Sequence, residues 1–139
     1  MNQRIIATLS FLLFTIGLGT SSLAAVLAPT QLESKTENGI RYMSGGIGEE
    51  EQEMLSALGQ NDDLKLVFAT KEGNYLSDVA VVIKDGSGNR VLAAVAEGPW
   101  FYTDLPTGKY LISATIQGET HQQMVHVNSG KQTQLYFHW

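Results

Sequence analysis

The segment that most constrains this chain runs Gly98-Pro-Trp-Phe-Tyr-Thr-Asp-Leu-Pro-Thr-Gly-Lys-Tyr-Leu-Ile-Ser-Ala-Thr-Ile116. It reads as two aromatic-rich strands joined at a corner, Asp104-Leu105-Pro106-Thr107-Gly108. Pro106 pre-sets φ near the turn value, and Gly108 is the residue expected at φ > 0. Tyr110, Ile112, Ala114 and Ile116 then recur at every second position, the pattern of a strand with one face in a core. A parallel α/β architecture is excluded, because no helical pattern separates these strands.

The same period of two extends on both sides. Leu64, Leu66 and Phe68 alternate with Lys65, Val67 and Ala69, and Val79, Val81 and Ile83 make the next inward set. After the hairpin signal Asp85-Gly-Ser-Gly-Asn89, Val91, Ala93 and Val95 continue that set on the return strand. Gln122 to Val127 and Gln132 to Trp139 complete the series, with turns at Lys71–Asn74, Gln117–Glu119 and Asn128–Lys131. Seven strands at a spacing of roughly 8–12 residues predict an all-β fold, a seven-stranded antiparallel β-sandwich. Ahead of it, Val26 to Asn38 lacks periodicity and reads as a leader, and Gly39 to Met43 as a short strand. Ser44-Gly-Gly-Ile-Gly48 feeds a short helix over Glu49 to Leu58. Its glutamates sit in the first turn, where the macrodipole favours anions. Ile47, Met54, Leu55 and Leu58 form an apolar stripe, and Gly59 is the expected C-terminal stop.

The first residues carry an address rather than a fold. Arg4 precedes a nearly unbroken apolar run from Ile5 to Leu18, and small residues follow through Ala25, the layout of a secretory signal peptide. The run falls short of the roughly 20 residues that span a bilayer, so no membrane span is expected after signal removal. With cleavage near Ala24 the organisation becomes 1–24 signal peptide, 25–62 leader with a short helix, and 63–139 sandwich domain. The expected location is periplasmic or secreted. The chain contains no cysteine, so an exported domain of this size must be held by packing instead of disulfides. Loss of Arg4 leaves eight basic against 14 acidic residues. Nothing forms a basic stripe, which argues against nucleic acid as a partner.

Leu64 to Phe137 resembles the carboxypeptidase regulatory-like domain, a transthyretin-like, Ig-like seven-stranded sandwich. The residues that carry the resemblance are Trp100-Phe-Tyr102 followed by Leu105-Pro-Thr-Gly-Lys-Tyr110, the hairpin Asp78 to Gly88, and the closing Met124 to Phe137. The chain is also similar to small proteobacterial secreted proteins with a Ser-Gly-Gly-Ile-Gly-Glu element ahead of such a domain. The resemblance implies a fold and a location but no reaction, since a sandwich hosts many roles. A transthyretin-like hydrolase would be the catalytic alternative, but that family ends in Tyr-Arg-Gly-Ser and this chain ends Leu135-Tyr-Phe-His-Trp139.

Residues that carry chemistry are few. His121, His126 and His138 are the only histidines; His121 and His126, an odd offset apart, face opposite sides of a regular strand. His126 and His138 fall on strands expected to be hairpin neighbours. No acidic residue or cysteine in those strands completes a metal set. Ser44-Gly-Gly-Ile-Gly48 lacks the lysine of a P-loop, and the glutamates after it would repel phosphate. The expectation is therefore no enzyme, no cofactor and no metal. What remains is an interaction surface: Phe101, Leu111, Met124, His126, Tyr136 and His138 should point outward from adjacent strands as one partly apolar stripe. It would serve a protein, peptide or glycan partner of the cell envelope, or lie beneath the helix through Met54, Leu55 and Leu58. A self-associating envelope subunit is the structural alternative.

Overall fold

The computed structural model describes residues 32–139. The expected signal peptide and the start of the expected leader lie outside them. Among the described residues, no helix is long and apolar enough to cross a membrane.

The described residues are mostly β, with two sheets and one helix among them. In chain order the elements are β1 (Lys35–Glu37), β2 (Ile40–Gly45), α1 (Glu49–Gly59), β3 (Leu64–Ala69), β4 (Val79–Asp85), β5 (Arg90–Ala96), β6 (Trp100–Thr103), β7 (Gly108–Ile116), β8 (Glu119–Val127) and β9 (Thr133–His138). The five-stranded sheet has the order β1-β2-β6-β3-β9, and the four-stranded sheet the order β5-β4-β7-β8. Leu64, Leu66, Phe68, Phe101 and Phe137 from the first sheet meet Val79, Val81, Ile83, Leu92, Ile112 and Val127 from the second in one core. Burial of these side chains is the main stabilising term in a domain without disulfides.

Nine strands replace the expected seven. The additions are β1, inside the stretch read as a leader, and β2, where a short strand was expected over Gly39 to Met43; they form a hairpin, Lys35↔Tyr42 and Glu37↔Ile40 pairing across Asn38 and Gly39. Both turn residues have positive φ, 51° and 77°, as a type I′ hairpin requires. Asn-Gly is the usual sequence signal of such a turn, so β1 is legible in the sequence at Asn38-Gly39. The expectation of purely antiparallel pairing also fails, because β9 runs parallel to β3, with Leu66↔Leu135 and Phe68↔Phe137.

Register corrects several facings, since directly opposed residues share a face. Leu66↔Phe101 and Leu64↔Thr103 place Phe101 and Thr103 in the core, so Trp100 and Tyr102 point out toward the helix. Val79↔Ala96, Val81↔Ala94 and Ile83↔Leu92 make Leu92, Ala94 and Ala96 the inward set of β5, in place of Val91, Ala93 and Val95. A register shift between Ile83 and Lys84, one extra residue near the Asp85–Asn89 turn, accounts for the reversal. That turn itself forms as expected: Asp85 Oδ1 accepts from Ser87 N–H at 2.9 Å and Asn89 N–H at 3.0 Å.

The corner before β7 is held differently from expectation. Gly108 has no positive φ and opens β7. The Tyr110 hydroxyl donates to Pro106 O at 2.6 Å, locking the corner through a side chain.

α1 forms over the expected span, but one apolar residue of its stripe does the packing. Leu55 is buried against Met43 and Tyr102, whereas Ile47, Met54 and Leu58 are exposed. Gly59 is the last helical residue, followed by Gln60 in αR geometry, so it is no αL cap. Its role is closeness: a Cβ there would stand 2.4 Å from the Tyr102 ring. Gln132 Nε2 donates to Gly59 O at 2.8 Å and Asp62 O at 3.0 Å, satisfying carbonyls at the helix end. At the other end Glu51 Oε1 accepts from Gly46 N–H at 3.0 Å, and Gln52 Nε2 donates to Gly46 O at 2.9 Å.

Candidate functional site

The outer face of the four-stranded sheet brings together half of the expected surface. Gln117 and Gly118, with φ of 48° and 80°, close a two-residue turn, and β7 and β8 then pair without interruption from Ile116↔Glu119 to Gly108↔Val127. Leu111 lies opposite Met124, and Lys109 opposite His126. Met124 is 67% exposed, with Leu111 half-buried beside it. A shallow hollow of about 260 Å³ is lined by Lys109, Met124, Val125 and His126. Above it the face is polar and tied down: Thr115 and Thr120 hydroxyls bond at 2.7 Å, and Gln122 Nε2 donates to Ser113 Oγ at 3.0 Å.

The backbone of β8 adds a second feature. A two-residue turn makes Ile116 and Glu119 a hydrogen-bonded pair, and such pairs recur at every second position of the ladder. Thr120, Gln122, Met124 and His126 fall between them, so their N–H and C=O groups point away from β7. Among the described residues no other strand pairs with β8 along that edge. Only its first residue is met from outside, by Trp139 Nε1 donating to Glu119 O at 3.3 Å.

The other long edges are dressed. On β5, Ala93 N–H donates to Glu37 Oε2 at 2.7 Å, and Asn38 Nδ2 reaches Val91 O at 3.4 Å. On β9, Thr133 N–H and Trp139 N–H bond to Asp63 O and Ala69 O, so the even-numbered residues between them, Gln134, Tyr136 and His138, point their backbone outward. There Gln123 Nε2 donates to Tyr136 O at 2.6 Å.

The remaining expected surface residues are elsewhere. Phe101 is fully buried and stacks on Tyr42 at 5.5 Å. Tyr136 and His138 stack on each other at 6.1 Å on β9, in the other sheet. β8 and β9 are thus not hairpin neighbours, and the six residues do not make one stripe. Nor does the helix cover Leu111, Met124 or His126; it lies over β2 and β6. Two-period reading places a residue on one face or the other, but cannot say which sheet its strand joins.

The five-stranded side holds the charged groups that sequence reasoning did not connect. Arg41 bonds both Asp62 and Asp104, the latter at 3.0 Å. The Asp62 side chain is 2% exposed and its Oδ2 lacks a partner. Burial pushes its carboxyl up to about 6, against the opposing pull of Arg41. The Lys65 ammonium sits 3.7 Å from the Trp100 ring centroid, and burial lowers its pKa. Beside it, Trp100 and the polar face of α1 (Glu49, Gln52, Glu53, Ser56 and Gln60) border an open groove of about 760 Å³.

The histidines are dispersed. His121 stacks on Trp139 at 4.9 Å and bonds Glu119 at 2.9 Å, while His126 and His138 lie on strands of different sheets. Among the described residues no three His, Cys, Asp or Glu side chains are placed to hold a metal ion.

Comparison of the chain with protein-family models and with curated proteins finds no match.

Proposed function

We propose that the protein is a secreted, non-catalytic accessory or binding module of the bacterial envelope, built on a transthyretin-like β-sandwich. Its working surface is the edge of β8 with the adjoining side chains Leu111, Met124 and His126. The partner, a protein or peptide segment, is taken up as an added strand.

One observation carries this reading: β8 is nine residues long and, among the described residues, has a hydrogen-bonded neighbour on one side only. Such an edge supplies main-chain hydrogen bonds for affinity, and its outward side chains supply selectivity. Met124 and the hollow beside Lys109 and His126 offer an apolar contact flanked by polar groups. The apolar run near the N-terminus supports export, and the sequence pattern from Trp100 to Tyr110 supports the transthyretin-like topology. The scattering of the histidines supports a role other than catalysis.

The test is site-specific photo-crosslinking in cells, with the crosslinker at Gln122 and a control at Lys84, on β4. Adducts are expected from position 122, and their loss on Met124→Pro. The Met124 N–H points to the free edge, so proline there removes no bond to β7. Equal adducts at both positions, or adducts that survive Met124→Pro, would overturn the reading.

A further inference from the structure

We propose that the groove between α1 and Trp100 is a second binding site, separate from the β8 edge, and that its ligand is an uncharged oligosaccharide.

The wall of the groove comes from the helix. Glu49, Gln52, Glu53, Ser56 and Gln60 are related by steps of three and four residues, so they share one face of α1, and with Ala57 and Trp100 they line a volume of about 760 Å³. From Glu49 to Gln60 this wall runs roughly 16 Å, longer than a single sugar ring. It is set before any ligand arrives. Leu55 anchors the helix against Met43 and Tyr102, and Gln52 Nε2, bonded to Gly46 O at 2.9 Å, ties down its start.

The floor comes from the sheet. Trp100 and Tyr102 point outward from β6, and register places Lys65 of β3 beside Tyr102. The Lys65 ammonium lies 3.7 Å from the Trp100 ring centroid and 5.3 Å from that of Tyr102. No carboxylate of the described residues pairs with it. An ammonium against an indole brings N–H donors and apolar surface to one place.

This lining selects the class of ligand. β3 and β6 each have hydrogen-bonded neighbours on both sides, so the floor offers no free strand edge to a peptide. Ala57 and Trp100 are the only apolar residues of the lining, too few to hold a lipid chain or a row of apolar anchors. Glu49 and Glu53 oppose an anionic polymer, and the half-buried Lys65 opposes a cationic one. What the groove does supply is hydroxyl recognition. The carboxylates accept, Lys65 donates, and Ser56 and Gln60 do both. Sugar hydroxyls also do both, and the C–H face of a sugar ring matches the apolar surface of Trp100.

The test is an amide-shift titration of the full chain isolated after export, using cellotetraose, chitotetraose and, as the charged comparison, tetragalacturonate. Saturating shifts are expected at Gln52, Ser56, Gln60 and the Trp100 indole N–H with at least one uncharged sugar. Trp100→Ala should abolish binding. The double variant Glu53→Ala/Gln60→Ala removes two exposed side chains of the wall, leaves the core intact, and should weaken binding by about tenfold or more. Lys84→Ala, on the other sheet, should leave it unchanged.

Absence of groove shifts with both uncharged sugars overturns the proposal. So does binding that survives the double variant, or that falls equally in Lys84→Ala. Saturation by tetragalacturonate alone overturns the uncharged class and makes the ligand an acidic sugar paired with Lys65. Strand uptake at β8 is read by crosslinking at Gln122, so either site can fail without the other.

Discussion

The two outer faces of this molecule are built on opposite terms. On the five-stranded side, α1 lies over β2 and β6; Leu55, Met43 and Tyr102 are buried beneath it, and Gly59 lets the helix end rest against the Tyr102 ring. On the four-stranded side, Leu111, Met124 and His126 face outward with no element of the described chain over them. The first face spends its apolar groups on stability and the second keeps them available. The edges repeat the contrast: β5 is capped by side chains of the β1–β2 hairpin, whereas among the described residues β8 is met only at its first residue, by Trp139.

Equal truncations on the two faces should therefore have unequal costs. The largest effect is expected from Leu55→Ala, which removes the one fully buried side chain of α1. The loss should be about 2–5 kcal/mol, read from denaturant midpoints at constant m-value. A loss below about 1 kcal/mol would mean the helix is only lightly attached.

Next in size is the pH dependence of the joint beneath the helix. The Asp62 carboxyl, raised from 3.8 to about 6 in the folded chain, binds its proton more tightly folded than unfolded. Its contribution to stability is therefore fully present below about pH 4 and is lost as pH rises through about 6. Relative to Asp62→Asn, the parent should gain up to roughly 3 kcal/mol as pH falls from 7 to 4. A difference that is flat over this range, or of opposite slope, would break the account of this carboxyl.

Gly59→Ala is a sharper, smaller test. In an exposed helix the change stabilises by about 1 kcal/mol. Here the new Cβ meets the buried Tyr102 ring at 2.4 Å, so the sign should reverse, to a loss of about 1–3 kcal/mol in the same unfolding experiment. The smallest effect belongs to the bare face. Met124→Ala should change the unfolding free energy of the monomer by no more than about 0.5 kcal/mol, while altering whatever binds there. A large loss at Met124 would show that this face, too, serves the fold.

Much of the fold was legible before any coordinates. All seven expected strands occur, as β3 to β9, and the helix occupies its expected place, because period-two alternation and Gly-rich turns are local properties of the chain. The Asn38-Gly39 hairpin was equally local and was missed under the irregular sequence before it. The candidate site was half legible. Leu111, Met124 and His126 do share one face, since β7 and β8 are hairpin neighbours whose register follows from the Gln117-Gly118 turn. Phe101, Tyr136 and His138 depart because their strands pair with partners far away in sequence.

The sequence alone determined that this protein is mostly β, where its turns fall, and which residues alternate. Each of those follows from backbone sterics and side-chain period within a few residues. Only the tertiary structure decided which face of β6 is inward, that β9 joins β3 in parallel, and that β8 is an edge. These are choices among pairings of similar local quality, settled by how two sheets and one helix together bury the most apolar surface with the fewest unpaired backbone groups. The open edge that carries the proposed function is a product of that choice: β8 is bare because β9, the next strand in the chain, found its hydrogen bonds in the opposite sheet.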